Sequence, residues 1–225
     1  MKKRTTMLAL LLATGAGTCL QAQEKLTQFK VRDAITVRTP IMNDSINPKG
    51  EKYADKDLLK TPVVLDLADA PFQVLSTDTA GVLSFPKAEK DHSIYLLETS
   101  LRAERFMTGQ LKVTSPARWE IFINGESKMS KENAEDSISG ASTREVNLRL
   151  EPEADYEITI KLLSGSKDKA VPTLKCELIK DDKFKDITCF VSPEQKKRFA
   201  LPNTVYGNRV IGVSISPDGK YLLTR

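Results

Sequence analysis

At 225 residues, with 40% hydrophobic and 28% charged side chains, the chain has an ordinary globular composition, long enough for one large domain or for one domain and part of another. The formal net charge is +4, but Lys2, Lys3 and Arg4 all precede the first acidic residue, Glu24, and without residues 1–22 the balance drops by three, to +1. The remaining chain carries no Lys/Arg stripe interleaved with aromatics, which excludes nucleic-acid binding.

The N-terminus reads as a secretory signal peptide over 1–22. Lys2-Lys3-Arg4 is its positive region, Met7 to Ala13 its apolar region, and Ala22 the residue before the cut. The apolar run falls far short of the roughly 20 residues that span a bilayer, and no other segment approaches that length, so no transmembrane segment is expected. Ordinary cleavage is favoured over a lipid anchor on Cys19, because Ala16-Gly17-Thr18 lacks the leucine and the Gly/Ala that lipoprotein processing expects. The chain is therefore expected to be exported, to the periplasm or beyond.

Residues 23–62 form a polar lead-in with short apolar pieces at Phe29, Val31, Ile35 and Val37, and one helical turn is predicted near Leu58. Strand patterns dominate from 63 to 191. Val63, Leu65 and Leu67 alternate with smaller or polar neighbours, and Leu111 and Val113 alternate with polar residues. Trp119, Ile121 and Ile123 share one face and run into Asn124-Gly125, the preferred tight hairpin turn. Val146, Leu148 and Leu150 form another alternating set, as do Tyr156, Ile158, Ile160 and Leu162. A period of two, repeated between turn signals, predicts a mainly β fold, an antiparallel β-sandwich of jelly-roll type. Ser130 to Thr143 reads as a long exposed loop. A linker with a short helical turn begun by Ser192-Pro193 is expected over 192–204. In the last segment, 205–225, Ser216-Pro217-Asp218-Gly219 makes a tight turn between two short strands.

No residue set carries catalysis, a metal or a cofactor. The single histidine, His92, follows Asp91, but a base and its orienting carboxylate meet in space, not as sequence neighbours, and no Gly-x-Ser-x-Gly elbow exists. His92 therefore reads as a partly exposed residue at the start of a strand, and Ser164-Gly165-Ser166 as a loop. Asp181-Asp182 reads as a hairpin turn. Trp119 could stack a sugar from an exposed face, but its register with Ile121 and Ile123 favours the core. Cys176 and Cys189 fall opposite one another if Leu174–Leu178 and Ile187–Val191 form a hairpin. An exported chain permits a disulfide there, and two buried free thiols are the equal alternative.

Val205-Tyr206-Gly207-Asn208-Arg209-Val210 followed by Ser214-Ile215-Ser216-Pro217-Asp218-Gly219-Lys220-Tyr221 resembles the opening of the β-propeller in secreted serine peptidases of the prolyl oligopeptidase and dipeptidyl peptidase IV family. The resemblance implies that 205–225 is the start of an incomplete propeller blade. It implies partners in downstream propeller and hydrolase domains of a parent chain, with peptide substrate met through that parent. No catalytic residue of that family matches here. The function expected is a non-catalytic accessory domain of such a peptidase, with a carbohydrate- or cell-surface-binding β-sandwich module attached to a non-peptidase propeller as the alternative. Asp44-Ser45-Ile46, Asp78-Thr79-Ala80 and Asp136-Ser137-Ile138 resemble sites that some bacteria O-glycosylate in exported proteins, which makes Ser45, Thr79 and above all Ser137 candidates.

Overall fold

A computed structural model of the chain describes residues 23–37, 46, 50–60, 71–89, 91–152, 154–193 and 213–224. The signal peptide with Cys19, the strand at Val63–Leu67, Ser45, the helical turn after Pro193 and the Val205–Val210 motif lie outside the described residues. The chain divides into two units, 1–193 and 194–225.

The first unit is built from two antiparallel sheets that share one apolar layer. In chain order its strands are β1 (Gln23–Lys25), β2 (Gln28–Arg32), β3 (Ile35–Val37), β4 (Phe72–Ser76), β5 (Val82–Ser84), β6 (His92–Ala103), β7 (Met107–Thr114), β8 (Arg118–Ile123), β9 (Glu126–Lys131), β10 (Thr143–Leu150), β11 (Asp155–Gly165), β12 (Thr173–Lys180) and β13 (Cys189–Ser192). One sheet runs β1-β12-β7-β10, with β5 also on β12. The other runs β4-β2-β6-β11-β8-β9, with β3 and β13 also on β6. Met107, Leu111, Val113, Val146, Leu148, Leu174 and Leu178 of the first sheet pack in one core with Phe29, Leu97, Leu101, Trp119, Ile121, Ile158 and Ile160 of the second. This is the arrangement of a β-sandwich, and the alternation read from the sequence produces it, because each strand gives one face to the shared layer.

Strand β6 departs from strict alternation, being buried on both faces over Ile94–Leu97. Its outer face meets α1 (Asp55–Leu59), whose Leu58 and Leu59 pack on Ile94, Leu96 and Leu163. The Asp57 carboxylate starts this short helix by accepting the Ala54 N–H at 2.9 Å. The same strand serves three partners along one edge: β3 at 92–94, β2 at 97–98 and β13 at 100–103. The polar lead-in is thus corrected. Leu26, Phe29 and Val31 are core residues, and their strands are too short to announce themselves by period.

The Asn124-Gly125 turn forms as expected, with both residues at positive φ (51° and 78°) and Ile123 paired to Glu126. Gly109 marks a close approach of strands, since a Cβ there would run into the carbonyl oxygen of Ile179 on β12.

The cysteine hairpin does not form. Cys176 lies on β12 opposite Val113, in the first sheet, and Cys189 on β13 opposite Ala103, in the second. A 3-10 turn at Asp182–Phe184 carries the chain from one sheet to the other, so Asp181-Asp182 is a crossover and not a hairpin turn. Both thiols are free and buried, and the Cys189 Sγ donates to Met107 Sδ at 3.2 Å. Burial pushes the Cys189 thiol up to about 11 and raises Cys176 as well. Both should therefore resist a thiol-reactive disulfide reagent in the native protein at neutral pH and react fully in guanidinium. A Cys176–Cys189 cross-link in a non-reducing peptide map would contradict this.

In the second unit, β14 (Val213–Ile215) pairs with β15 (Leu222–Thr224) across the Ser216–Gly219 turn, where Gly219 takes φ 71°. A propeller blade takes four strands. The described residues here supply two, and they do not show a blade.

Candidate binding surface on the five-stranded sheet

Strand β7 turns Met107, Gly109, Leu111 and Val113 inward and Thr108, Gln110, Lys112 and Thr114 outward. Strand β10 turns Val146, Leu148 and Leu150 inward and Glu145, Asn147 and Arg149 outward. Their register sets Asn147 opposite Gln110 and Arg149 opposite Thr108, so the outer face carries polar rows two residues apart, roughly 7 Å along the strand. Gln110 Nε2 donates to Asn147 Oδ1 at 3.2 Å. The Thr108 hydroxyl donates to the Asp181 carboxylate, and the Asp181 N–H returns to the Thr108 carbonyl at 3.2 Å. Beside this row, Phe106 is partly exposed, with the Arg149 guanidinium 5.2 Å above its ring and Phe184 edge-on at 5.8 Å.

A groove of about 470 Å³ runs over Thr108, Gly109, Gln110, Asn147, Leu148, Arg149 and Asp181. A second, of about 340 Å³, is lined by Ile123, Asn124, Glu126, Lys128, Tyr156 and the same three residues of β10. Tyr156 is fixed by the Glu151 N–H donating to its hydroxyl at 2.9 Å, and Asn124 by the Glu157 N–H donating to its Oδ1 at 2.8 Å. The Lys128 ammonium, hydrogen-bonded to Glu126 at 2.6 Å, holds that carboxyl below its usual range. Arg149 Nε donates to Glu151 at 3.0 Å. Neither groove is lined by a Ser, Cys or His. What the surface offers is hydrogen bonding from groups that both donate and accept.

The residues singled out from sequence lie elsewhere. His92 Nε2 lies 3.1 Å from Asp55, and Arg118 bridges Asp55 at 2.5 Å and Asp168 at 2.9 Å. This ionic cluster fastens α1 to the second sheet. Asp91 gives its carbonyl to the Ser166 N–H at 3.1 Å. Trp119 is fully buried and faces the shared core, not solvent. Thr79 and Ser137 are exposed on loops. Among the described residues, no three His, Cys, Asp or Glu side chains gather to hold a metal ion, and no helix is long and apolar enough to cross a membrane. Sequence reading passed over Gln110, Asn147 and Arg149. Their only signal was that they occupy the outward phase of two alternating segments.

No protein-family model matches the chain, and no curated protein matches it. Solved structures with some similarity include a β-glucosidase from Kluyveromyces marxianus in complex with glucose, at 13% identity over 71% of this chain and 16% of that one, with a TM-score of 0.40. A PA14 sugar-binding domain from an RTX adhesin is 12% identical over 75% of this chain and 96% of its own length, also at 0.40. A GH31 α-xylosidase from Xanthomonas citri is 11% identical over 76% of this chain and 17% of that one, at 0.37. The chain spans about a sixth of the β-glucosidase, and at such scores these likenesses decide nothing about ligand or reaction. They are glycoside hydrolase segments and a sugar-binding domain, not peptidase propellers, and the resemblance to prolyl oligopeptidase-family peptidases is withdrawn.

Proposed function

We propose that this chain is an exported, non-catalytic carbohydrate-binding β-sandwich module that binds through the outer face of the five-stranded sheet at β7 and β10. The observation that carries the reading is the cross-strand Gln110–Asn147 amide pair, set in a groove with the Thr108–Asp181 pair, next to a second groove lined by the ring of Tyr156. A sugar presents hydroxyls that donate and accept, and apolar C–H faces between them. Amides answer the first and an aromatic ring the second. Sheet-borne side chains hold these groups in fixed register, which lowers the ordering cost of binding. Export is supported by Lys2-Lys3-Arg4 and the apolar run Met7–Ala13. Glycosylation of Ser137 or Thr79 in an exported chain would show in its intact mass.

Electrophoresis of the purified chain through gels containing soluble neutral polysaccharides tests the function. Retardation is expected in at least one polysaccharide. The Gln110→Ala, Asn147→Ala double variant should lose it, weakening affinity by roughly tenfold or more, as expected for two hydrogen-bonding groups. Unretarded migration in every gel, together with silence on a glycan array, would defeat the proposal.

A further inference from the structure

We infer that the ligand is a neutral oligosaccharide that crosses the free edge of β10 and occupies both grooves at once, and not a single terminal sugar; this rests on the carbohydrate-binding reading. The two grooves are not independent. Both are lined by the consecutive residues Asn147, Leu148 and Arg149, so a ligand leaving one along β10 enters the other. Among the described strands β10 pairs only with β7, and no strand covers its other edge. Each groove by itself has the volume of a small-molecule site, in the range of about 300–1,000 Å³, and the two together suit a chain of linked units.

Neutrality follows from how the charges are already spent. In both grooves every ionised side chain has a partner inside the protein: Lys128 with Glu126 at 2.6 Å, Arg149 with Glu151 at 3.0 Å, and Asp181 with the Thr108 hydroxyl. Arg149 spends only its Nε–H and Lys128 one N–H on these pairs, so both keep donors for a ligand hydroxyl, but the carboxylate beside each offsets its charge and leaves an anionic ligand little net return at an exposed site. A neutral ligand leaves those pairs intact and uses the unspent capacity of the amides. Gln110 spends one N–H on Asn147, and Asn147 spends only its carbonyl. A peptide adding to the β10 edge is the rival occupant. Strand addition draws its specificity from pockets for alternate side chains, and this face offers polar rows instead.

Calorimetric titration of the full chain with neutral gluco- and xylo-oligosaccharides, from monosaccharide to hexasaccharide, tests the inference. Affinity should rise by about tenfold or more between monosaccharide and tetrasaccharide as the second groove fills, and it should be insensitive to salt. Gln110→Ala, in one groove, and Lys128→Ala, in the other, should each weaken the hexasaccharide, while only one of them weakens the monosaccharide. Both positions are on the surface, and circular dichroism confirms folding of each variant. If a monosaccharide binds as tightly as the hexasaccharide, the crossing is overturned and the carbohydrate reading stands. Preference for a polyuronate with steep salt dependence overturns neutrality alone. If no sugar binds and an extended peptide does, both the carbohydrate reading and this inference fail.

Discussion

Replacing Trp119 by alanine is expected to destabilise the sandwich by about 4 kcal/mol, the scale for emptying a fully buried aromatic site. Trp119 is the largest wholly buried side chain, facing the shared layer from β8, paired across the sheet with Leu162 on one side and Lys131 on the other. Its indole N–H is buried with no hydrogen-bond partner. Trp119→Phe should therefore cost far less, about 1 kcal/mol, since it keeps most of the apolar volume and removes an unsatisfied donor. Because Trp119 is the only tryptophan, unfolding is followed by circular dichroism in urea and not by fluorescence. The same variants separate packing from sugar stacking. Trp119→Phe should retain saccharide binding, whereas a variant that keeps its stability and loses binding would return Trp119 to the ligand.

The elements that sequence reading found are those whose determinants are local. Trp119, Ile121 and Ile123 running into Asn124-Gly125 specify a hairpin within a few residues, and the hairpin is there. The cysteine hairpin failed because adjacency in sequence is not adjacency in a sheet. Leu174–Leu178 and Ile187–Val191 align well on paper, yet Asp182–Phe184 turns the chain out of one sheet and into the other. The buried Lys180 secures that crossover by donating to the Ile187 carbonyl at 2.6 Å, a contact no periodicity announces. The propeller expectation is not shown by the described residues, for the converse reason. Ser216-Pro217-Asp218-Gly219 dictates a tight turn wherever it occurs and says nothing of the strands around it. The surface proposed to bind was hidden most deeply. Gln110 and Asn147 stand 37 positions apart, and an outward amide on one strand looks like any solvated residue until the register sets it beside another.

Glu135→Gln is expected to cost about 2–3 kcal/mol at neutral pH and nothing in strong acid. Lys131 is only 3% exposed at the end of β9. Its ammonium donates to the Ser115 and Ala117 carbonyls at 2.5 and 3.3 Å and to the Glu135 carboxylate at 2.5 Å. Burial pushes the Lys131 amine below its ordinary value, and Glu135 partly restores it. Burial alone would raise Glu135, but hydrogen bonds from Lys131 and Ser142 and the Lys131 charge hold its carboxyl below the usual range. Removing the carboxylate strands a buried cation, a loss on the scale of about 3–5 kcal/mol for a fully buried pair and less here, since Glu135 keeps about a quarter of its surface in solvent. The sign of the pH dependence follows from the lowered carboxyl. A group whose pKa falls on folding stabilises the native state above its unfolded value, near 4.5, and that stability is lost as pH drops through the folded value. Once Glu135 is protonated, the native protein and Glu135→Gln carry nearly the same group. The gap between their urea midpoints should therefore be constant from neutral pH down to the ordinary carboxylate range and close below it. A gap that persists unchanged in acid would show that Glu135 acts through packing of the loop before β10, and not through the charge it places beside Lys131.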